Sequence, residues 1–253
     1  MLFRTALIAS AALALVATMV ESHSWADCVD WRFKDPAKKS FAADAGTCYA
    51  WARQYPVNSK VAFGGLDSFS PSRHYQQDPK DFTPCSDRVH GREPGGDETR
   101  QNPISKAYGG KWGAMAQAKA GDEMCIRWPA KNHAVKSEPD KGVFINMPLT
   151  PLNADPPNQA SFSKAFLTRL PYKNCNEISG DTDRTPCGGC ITIPANLTTG
   201  NYVVQWRWEL NKDEFYTSCW DIAVTGAGTS PNATEPVIPL GGGTSVFAEL
   251  AED

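Results

Sequence analysis

Imidazole is scarce in this chain. Among 253 residues there are four histidines, His23, His74, His90 and His133. Charge of one sign is not in excess either: 25 basic and 28 acidic residues are mixed throughout and leave a net charge of −3. That balance argues against nucleic acid or an anionic membrane surface as the main partner. Sustained helical periodicity is weak and no internal repeat is found, which disfavours a helical bundle or a solenoid. One apolar run occurs, Thr5 to Val20. It is shorter than the ~20 apolar residues a membrane span needs. No spaced carboxylate pair singles itself out as the acid and base of a glycoside hydrolase.

The apolar run is preceded by Arg4 and followed by the small residue Ser22. A basic start, a short apolar core and a small-residue end predict a secretory signal peptide over residues 1–22. Cleavage after Ser22 would leave His23 as the first residue of a secreted, extracellular protein. The eight cysteines, Cys28, Cys48, Cys85, Cys125, Cys175, Cys187, Cys190 and Cys219, all follow that segment. An even count in an exported chain predicts up to four disulfides, and the spacing alone does not choose among the pairings. The run Cys187-Gly-Gly-Cys190 is read as part of that framework rather than as a redox or zinc motif. Two sequons, at Asn196 and Asn232, predict glycosylation sites and agree with export.

Strand signals dominate the body. Tyr202, Val204, Trp206, Trp208 and Leu210 alternate with Val203, Gln205, Arg207 and Glu209. Period two predicts a strand with one face burying aromatics and the other in polar surroundings. Met124–Trp128, Val143–Met147 and Trp220–Val224 alternate likewise, and Gly and Pro clusters separate the runs. The expectation is one all-β domain over residues 23–226, a β-sandwich with long disulfide-pinned loops and few short helices. One helix is predicted over Ser161–Leu170. The long polar, Gly/Pro-rich stretch from Val57 to Ala120 is expected to be largely loop. Residues 227–253, rich in Gly and Pro and acidic at the end, are expected to form a flexible tail.

A histidine at a new N-terminus has unusual chemistry. Its α-amine, with a pKa of about 7.7–8.0, gives up its proton readily to a competing metal. His23 could then offer two nitrogens, and a second imidazole would complete a planar set of three. Such tetragonal nitrogen coordination suits Cu(II), whereas zinc prefers a tetrahedral site with a fourth strong ligand. His133 is the candidate partner, placed in the loop after the strand ending Trp128-Pro129. The segment Glu214-Phe-Tyr216-Thr-Ser-Cys219 leads into the last strand. There Tyr216 could lend a distant axial oxygen, and Glu214, two residues earlier on the same side of an extended chain, could relay a proton. His74 and His90 are read as surface residues.

Taken in order, a signal segment ending directly before His23, the Trp128-Pro-x-x-x-His133 segment, and Gly200-x-Tyr202 followed by Tyr216-x-x-Cys219 resemble a lytic polysaccharide monooxygenase. The resemblance covers most of the chain after residue 22, and its specificity lies in these patches. It implies an immunoglobulin-like or fibronectin-like β-sandwich carrying a histidine brace for one copper per chain. In that brace His23 would supply amine and ring nitrogens, His133 the second imidazole and Tyr216 the axial oxygen. Glu214 stands where several members of the family have glutamine, which puts its role in doubt. The His23-Ser-Trp25 start and the cysteine-rich body look most like the oomycete branch, associated with pectin, specifically homogalacturonan. The implied reaction is oxidative cleavage of glycosidic bonds, with an electron donor and hydrogen peroxide or dioxygen, by a monomer. Lys131 and Lys136, flanking His133, and Lys212, near Tyr216, are then expected to line the face that binds a polyanionic polymer. The rivals are an enzyme of the same type acting on cellulose or chitin, a non-catalytic copper-binding protein of the same fold, and a cysteine-rich secreted structural protein without metal.

Overall fold

A computed structural model describes residues 24–57, 74–77, 84–85, 104–134, 139–175 and 184–226. The expected signal peptide 1–22, His23, His90, Lys136, the Asn232 sequon and the expected tail 227–253 lie outside the described residues. In chain order the strands are β1 (Trp31–Phe33), β2 (Gly46–Cys48), β3 (His74–Gln77), β4 (Ala116–Lys119), β5 (Glu123–Pro129), β6 (Val143–Asn146), β7 (Phe166–Leu170), β8 (Pro186–Thr192), β9 (Gly200–Asn211) and β10 (Glu214–Thr225). Two single-turn helices, α1 (Ile104–Ala107) and α2 (Gln159–Ser163), are the α-helices among the described residues. The chain is all-β, as expected.

The β9–β10 hairpin is the spine. Its turn, Lys212-Asp213, places Asp213 in the left-handed region at φ 61°, a conformation that Asp tolerates better than most residues. β6 and then β7 extend the sheet beyond β9, while β3 pairs antiparallel and β4 parallel with β10. β5 and β8 form a separate antiparallel ribbon running from Glu123↔Thr192 to Pro129↔Pro186. Prolines opposite one another close the ribbon, because neither has an N–H to donate. Met124, Ile126 and Trp128 of β5 and Ile191 of β8 pack in one cluster with Val143, Ile145, Tyr202, Val204, Trp206, Trp208, Trp220 and Ile222 of the large sheet. The two layers therefore make a sandwich, with Trp128, Trp206 and Trp220 wholly buried between them. Truncating any of these indoles would cost about 3–5 kcal/mol.

The alternation in β9 is observed, but its second face is not solvated. Gln205 is fully buried. Its amide donates to the Pro84 carbonyl at 2.7 Å and accepts from the Asn146 amide at 2.8 Å. The cover comes from the Cys85–Cys219 disulfide, which draws Pro84-Cys85 across β10, and from Phe162 of α2, which packs on Val203. Gln205 on this face thus finds hydrogen-bond partners rather than water.

The helix expected over Ser161–Leu170 forms only at its first three residues, Ser161–Ser163. α2 starts at Asn158, whose side chain accepts from the Ser161 N–H, and ends by Lys164. Phe166–Leu170 is instead β7, since pairing with β6 satisfies its backbone and its Thr and aromatic residues suit a strand. The eight cysteines pair as Cys28–Cys48, Cys85–Cys219, Cys125–Cys190 and Cys175–Cys187. Cys187 and Cys190 thus take separate partners, and the Cys-Gly-Gly-Cys run is part of the disulfide framework.

Candidate metal centre

β5 stops at Pro129, and the chain turns there. The Ala130 N–H donates to the Thr185 carbonyl, and Lys131–His133 form one 3-10 turn, with Lys131 at φ 49°. Tyr172 pins this turn, its hydroxyl donating to the Ala130 carbonyl at 2.8 Å. Burial drives the Tyr172 phenol well above its ordinary pKa, so it stays a donor. The Tyr172 carbonyl in turn accepts from the Trp128 indole N–H at 3.0 Å.

The half-buried His133 ring lies 5.2 Å from the Trp208 ring. Trp208 stacks on Tyr172 at 4.2 Å and on Tyr216 at 6.0 Å. His133 and Tyr216, 83 residues apart in sequence (216 − 133), thus both contact one indole. Tyr216 is buried in the sandwich core. Glu214 is half-buried at the start of β10 and accepts from the Asn211 amide at 2.6 Å. A cleft of about 420 Å³ opens beside His133, walled by Tyr172, Trp208, Lys141, Lys173 and Glu209.

The first described residues form a buried strap. Ser24, Trp25 and Ala26 are fully buried. The Asp27 and Cys28 N–H groups donate to the Arg127 carbonyl of β5, and the Arg127 N–H donates to the Cys28 carbonyl. The Ala26 N–H donates to Ser218 Oγ on β10 at 3.2 Å. The strap ends, toward residue 23, at Ser24, whose hydroxyl donates to the Pro129 carbonyl at 2.8 Å. That carbonyl lies four residues before His133 in the chain.

Of the lysines expected on a binding face, Lys212 is exposed in the β9–β10 turn. Lys131 is buried, with its ammonium 5.6 Å from the centre of the Trp25 ring. His74 sits on β3 opposite Thr217 of β10. Asn196 is exposed in a turn. Sequence reasoning missed Ser24, Tyr172 and Trp208 as parts of the site. Tyr172 carried no signal, and Trp208 was legible only as a core aromatic.

Among the described residues, Glu123, Cys125 and Cys190 come close enough to share an ion, but the two sulfurs are bonded to each other and are spent as ligands. The described part of the candidate site contributes one imidazole, His133. A nitrogen set would need further donors, and the sequence expectation for them is His23, which lies outside the described residues.

In sequence, no family model and no curated protein matches the chain. Among solved structures it is similar to the extended catalytic domain of H. jecorina LPMO9A, with 20% identity and a TM-score of 0.26 over 46% of this chain and 49% of that one. The match thus spans about half the length of that protein. A chitin binding domain from Burkholderia pseudomallei aligns with 14% identity and a TM-score of 0.37 over 63% of this chain and 88% of that one. A lytic polysaccharide monooxygenase AA15 from Thermobia domestica, in its Cu(I) state, aligns with 17% identity and a TM-score of 0.35 over 57% and 76%.

Proposed function

We propose that this chain is a secreted copper-dependent oxidoreductase of the lytic polysaccharide monooxygenase type, cleaving glycosidic bonds in a polysaccharide, with pectin (homogalacturonan) as the substrate. The observation that carries the reading is the meeting of Ser24 and Pro129 at 2.8 Å. That bond holds Ser24 beside the turn that carries His133, and the residue that precedes Ser24 in the sequence is a histidine. Processing after Ser22 would free its α-amine as a further nitrogen donor.

His23 and His133 would hold one copper through their nitrogens, with the Tyr216 phenol as a further oxygen donor. The chemistry that copper supplies when bound is one-electron redox activation of hydrogen peroxide or dioxygen toward a sugar C–H bond, fed by an external donor. Trp208 packs against the His133 ring and stacks on Tyr216 from one side. Glu214, which accepts from the Asn211 amide, would hold or pass a proton at its carboxylate. Tyr172 and Trp208 back the cleft beside His133 as buried, mutually stacked rings, while Lys173 and the exposed Lys212 would supply charge for a polyanionic chain.

The test is electron paramagnetic resonance on protein beginning at His23, loaded with one equivalent of copper, beside a form with extra residues before His23 and a His133→Ala variant. An axial Cu(II) spectrum with nitrogen coupling, lost or altered in both comparison forms, is expected. It should accompany oxidised oligosaccharides from pectin rather than from cellulose or chitin. Identical spectra in all three forms would sink the copper reading. A non-catalytic copper binder of the same fold is the second reading, favoured by the burial of Tyr216 in the core stack. It would give the same spectrum and no oxidised product from any of the three polymers.

A further inference from the structure

We infer that Ser24 and Lys131 are positioning residues that hold the amino-terminal strap in register with the His133 turn, an inference that rests on the copper reading above. A brace needs nitrogens from two segments more than a hundred residues apart to meet at one point. Neither the strap nor the turn belongs to a regular sheet, so hydrogen-bonded strand register does not align them. Residues 26–28 are fixed by backbone bonds to Arg127 and by the Ser218 hydroxyl. Nearer residue 23, among the described residues, the strap is held through side chains. Ser24 Oγ donates to the Pro129 carbonyl at 2.8 Å in a buried setting, and the Tyr172 hydroxyl reaches that same carbonyl at 3.5 Å while holding the Ala130 carbonyl at 2.8 Å.

Lys131 closes the other side. A surface lysine normally extends its ammonium into water. This one is 3% exposed and turned over the Trp25 ring, a cation–π contact that strengthens when water is excluded. Its backbone is held at φ 49°, where a non-glycine residue persists only if its surroundings impose it. The turn thus carries, two residues apart, a lysine directed at the strap and a histidine directed at the cleft. Lys131 belongs to the assembly of the site rather than to the face that meets the polymer.

The experiment compares wild type, Ser24→Ala, Ser24→Thr and Lys131→Met, all processed to begin at His23. Each is characterised by Cu(II) paramagnetic resonance, by chelator competition and by melting of the metal-free protein. Copper affinity is expected to fall roughly ten- to a hundredfold in Ser24→Ala and Lys131→Met, the usual effect of losing an outer support of a metal ligand. Altered nitrogen coupling should accompany the loss, and Ser24→Thr, which keeps the hydroxyl, should restore both. If Ser24→Ala does not fold, Lys131→Met, which keeps most of the aliphatic stem, decides. Wild-type affinity and spectrum in the folded variants would overturn the inference and leave the copper reading standing. Failure of the wild type to bind one equivalent would overturn both.

Discussion

His133 shows how little a residue's identity says until its neighbours are known. A lone loop histidine is an ordinary surface feature, and Trp208 and the Tyr172-pinned turn are what give this one a fixed ring and a cleft to face. The neighbouring strap carries a titration at the same scale. Burial lifts the Asp27 carboxyl above its ordinary 3.8, with Arg127 opposing through charge and hydrogen bonding. The folded chain therefore keeps this proton to higher pH than the unfolded chain does. On this group alone stability is greatest below 3.8 and declines as the pH rises through the folded value. Asp27→Asn should accordingly gain on the wild type as the pH is raised from 3.5 to 7 in urea titrations. A gap moving the other way would mean that the Arg127 partnership outweighs burial.

At the scale of elements, β8 carries a constraint its composition only hinted at. Gly188 and Gly189 sit between two cysteines that bridge to different segments, which brings other side chains down onto the strand. A Cβ at Gly188 would run into the Phe41 ring and the Ile126 carbonyl, and one at Gly189 would meet Leu170 at 2.9 Å. Gly188→Ala should lower stability by about 1–3 kcal/mol through overpacking, measured as a drop in urea midpoint at unchanged slope. An unaffected midpoint would mean that Phe41 moves aside freely. The disulfides differ in reach. Cys85–Cys219 joins residues 134 apart and Cys175–Cys187 residues 12 apart. Loop-closure entropy makes the longer link worth more. Replacing Cys85 and Cys219 by alanine should lower the melting temperature more than replacing Cys175 and Cys187, and it should uncover the Gln205 face of the large sheet.

Across the whole molecule, the sandwich is also locked by an ion cluster. Arg53 lies in the loop after β2, Asp155 before α2 and Asp221 on β10, and all three side chains are buried. The guanidinium bonds Asp155 at 2.7 and 2.8 Å and Asp221 at 2.8 and 2.9 Å. Burial works against the charge on Arg53, but the two carboxylates outweigh it and raise its pKa well above the usual value. Tyr108 completes the group, accepting from the Asp221 N–H at 2.8 Å. Arg53→Met would leave two buried carboxylates without their cation. It should cost about 3–5 kcal/mol, read by chemical denaturation. A loss below ~1 kcal/mol would show that water reaches the carboxylates.

Much of this was written locally. Period-two runs in β5, β6, β9 and β10 follow from side chains alternating across a strand, so they are legible wherever one face meets a core. The even cysteine count and the Cys-Gly-Gly-Cys spacing marked a disulfide framework in the same local way. The candidate ligand His133 and the aromatic Tyr216 could be singled out because imidazole is rare and because each stands beside a strand end. Pairing of the cysteines, the covering of Gln205, the turning inward of Lys131 and the meeting of Ser24 with Pro129 were decided by the tertiary structure alone. Each depends on segments that only the closed sandwich brings together, and a contact made across a hundred residues leaves no periodicity in the chain. The β7 segment belongs with these. Phe166–Leu170 is a strand because β6 offers it an edge, and no local preference in its five residues outweighs the backbone hydrogen bonds gained there.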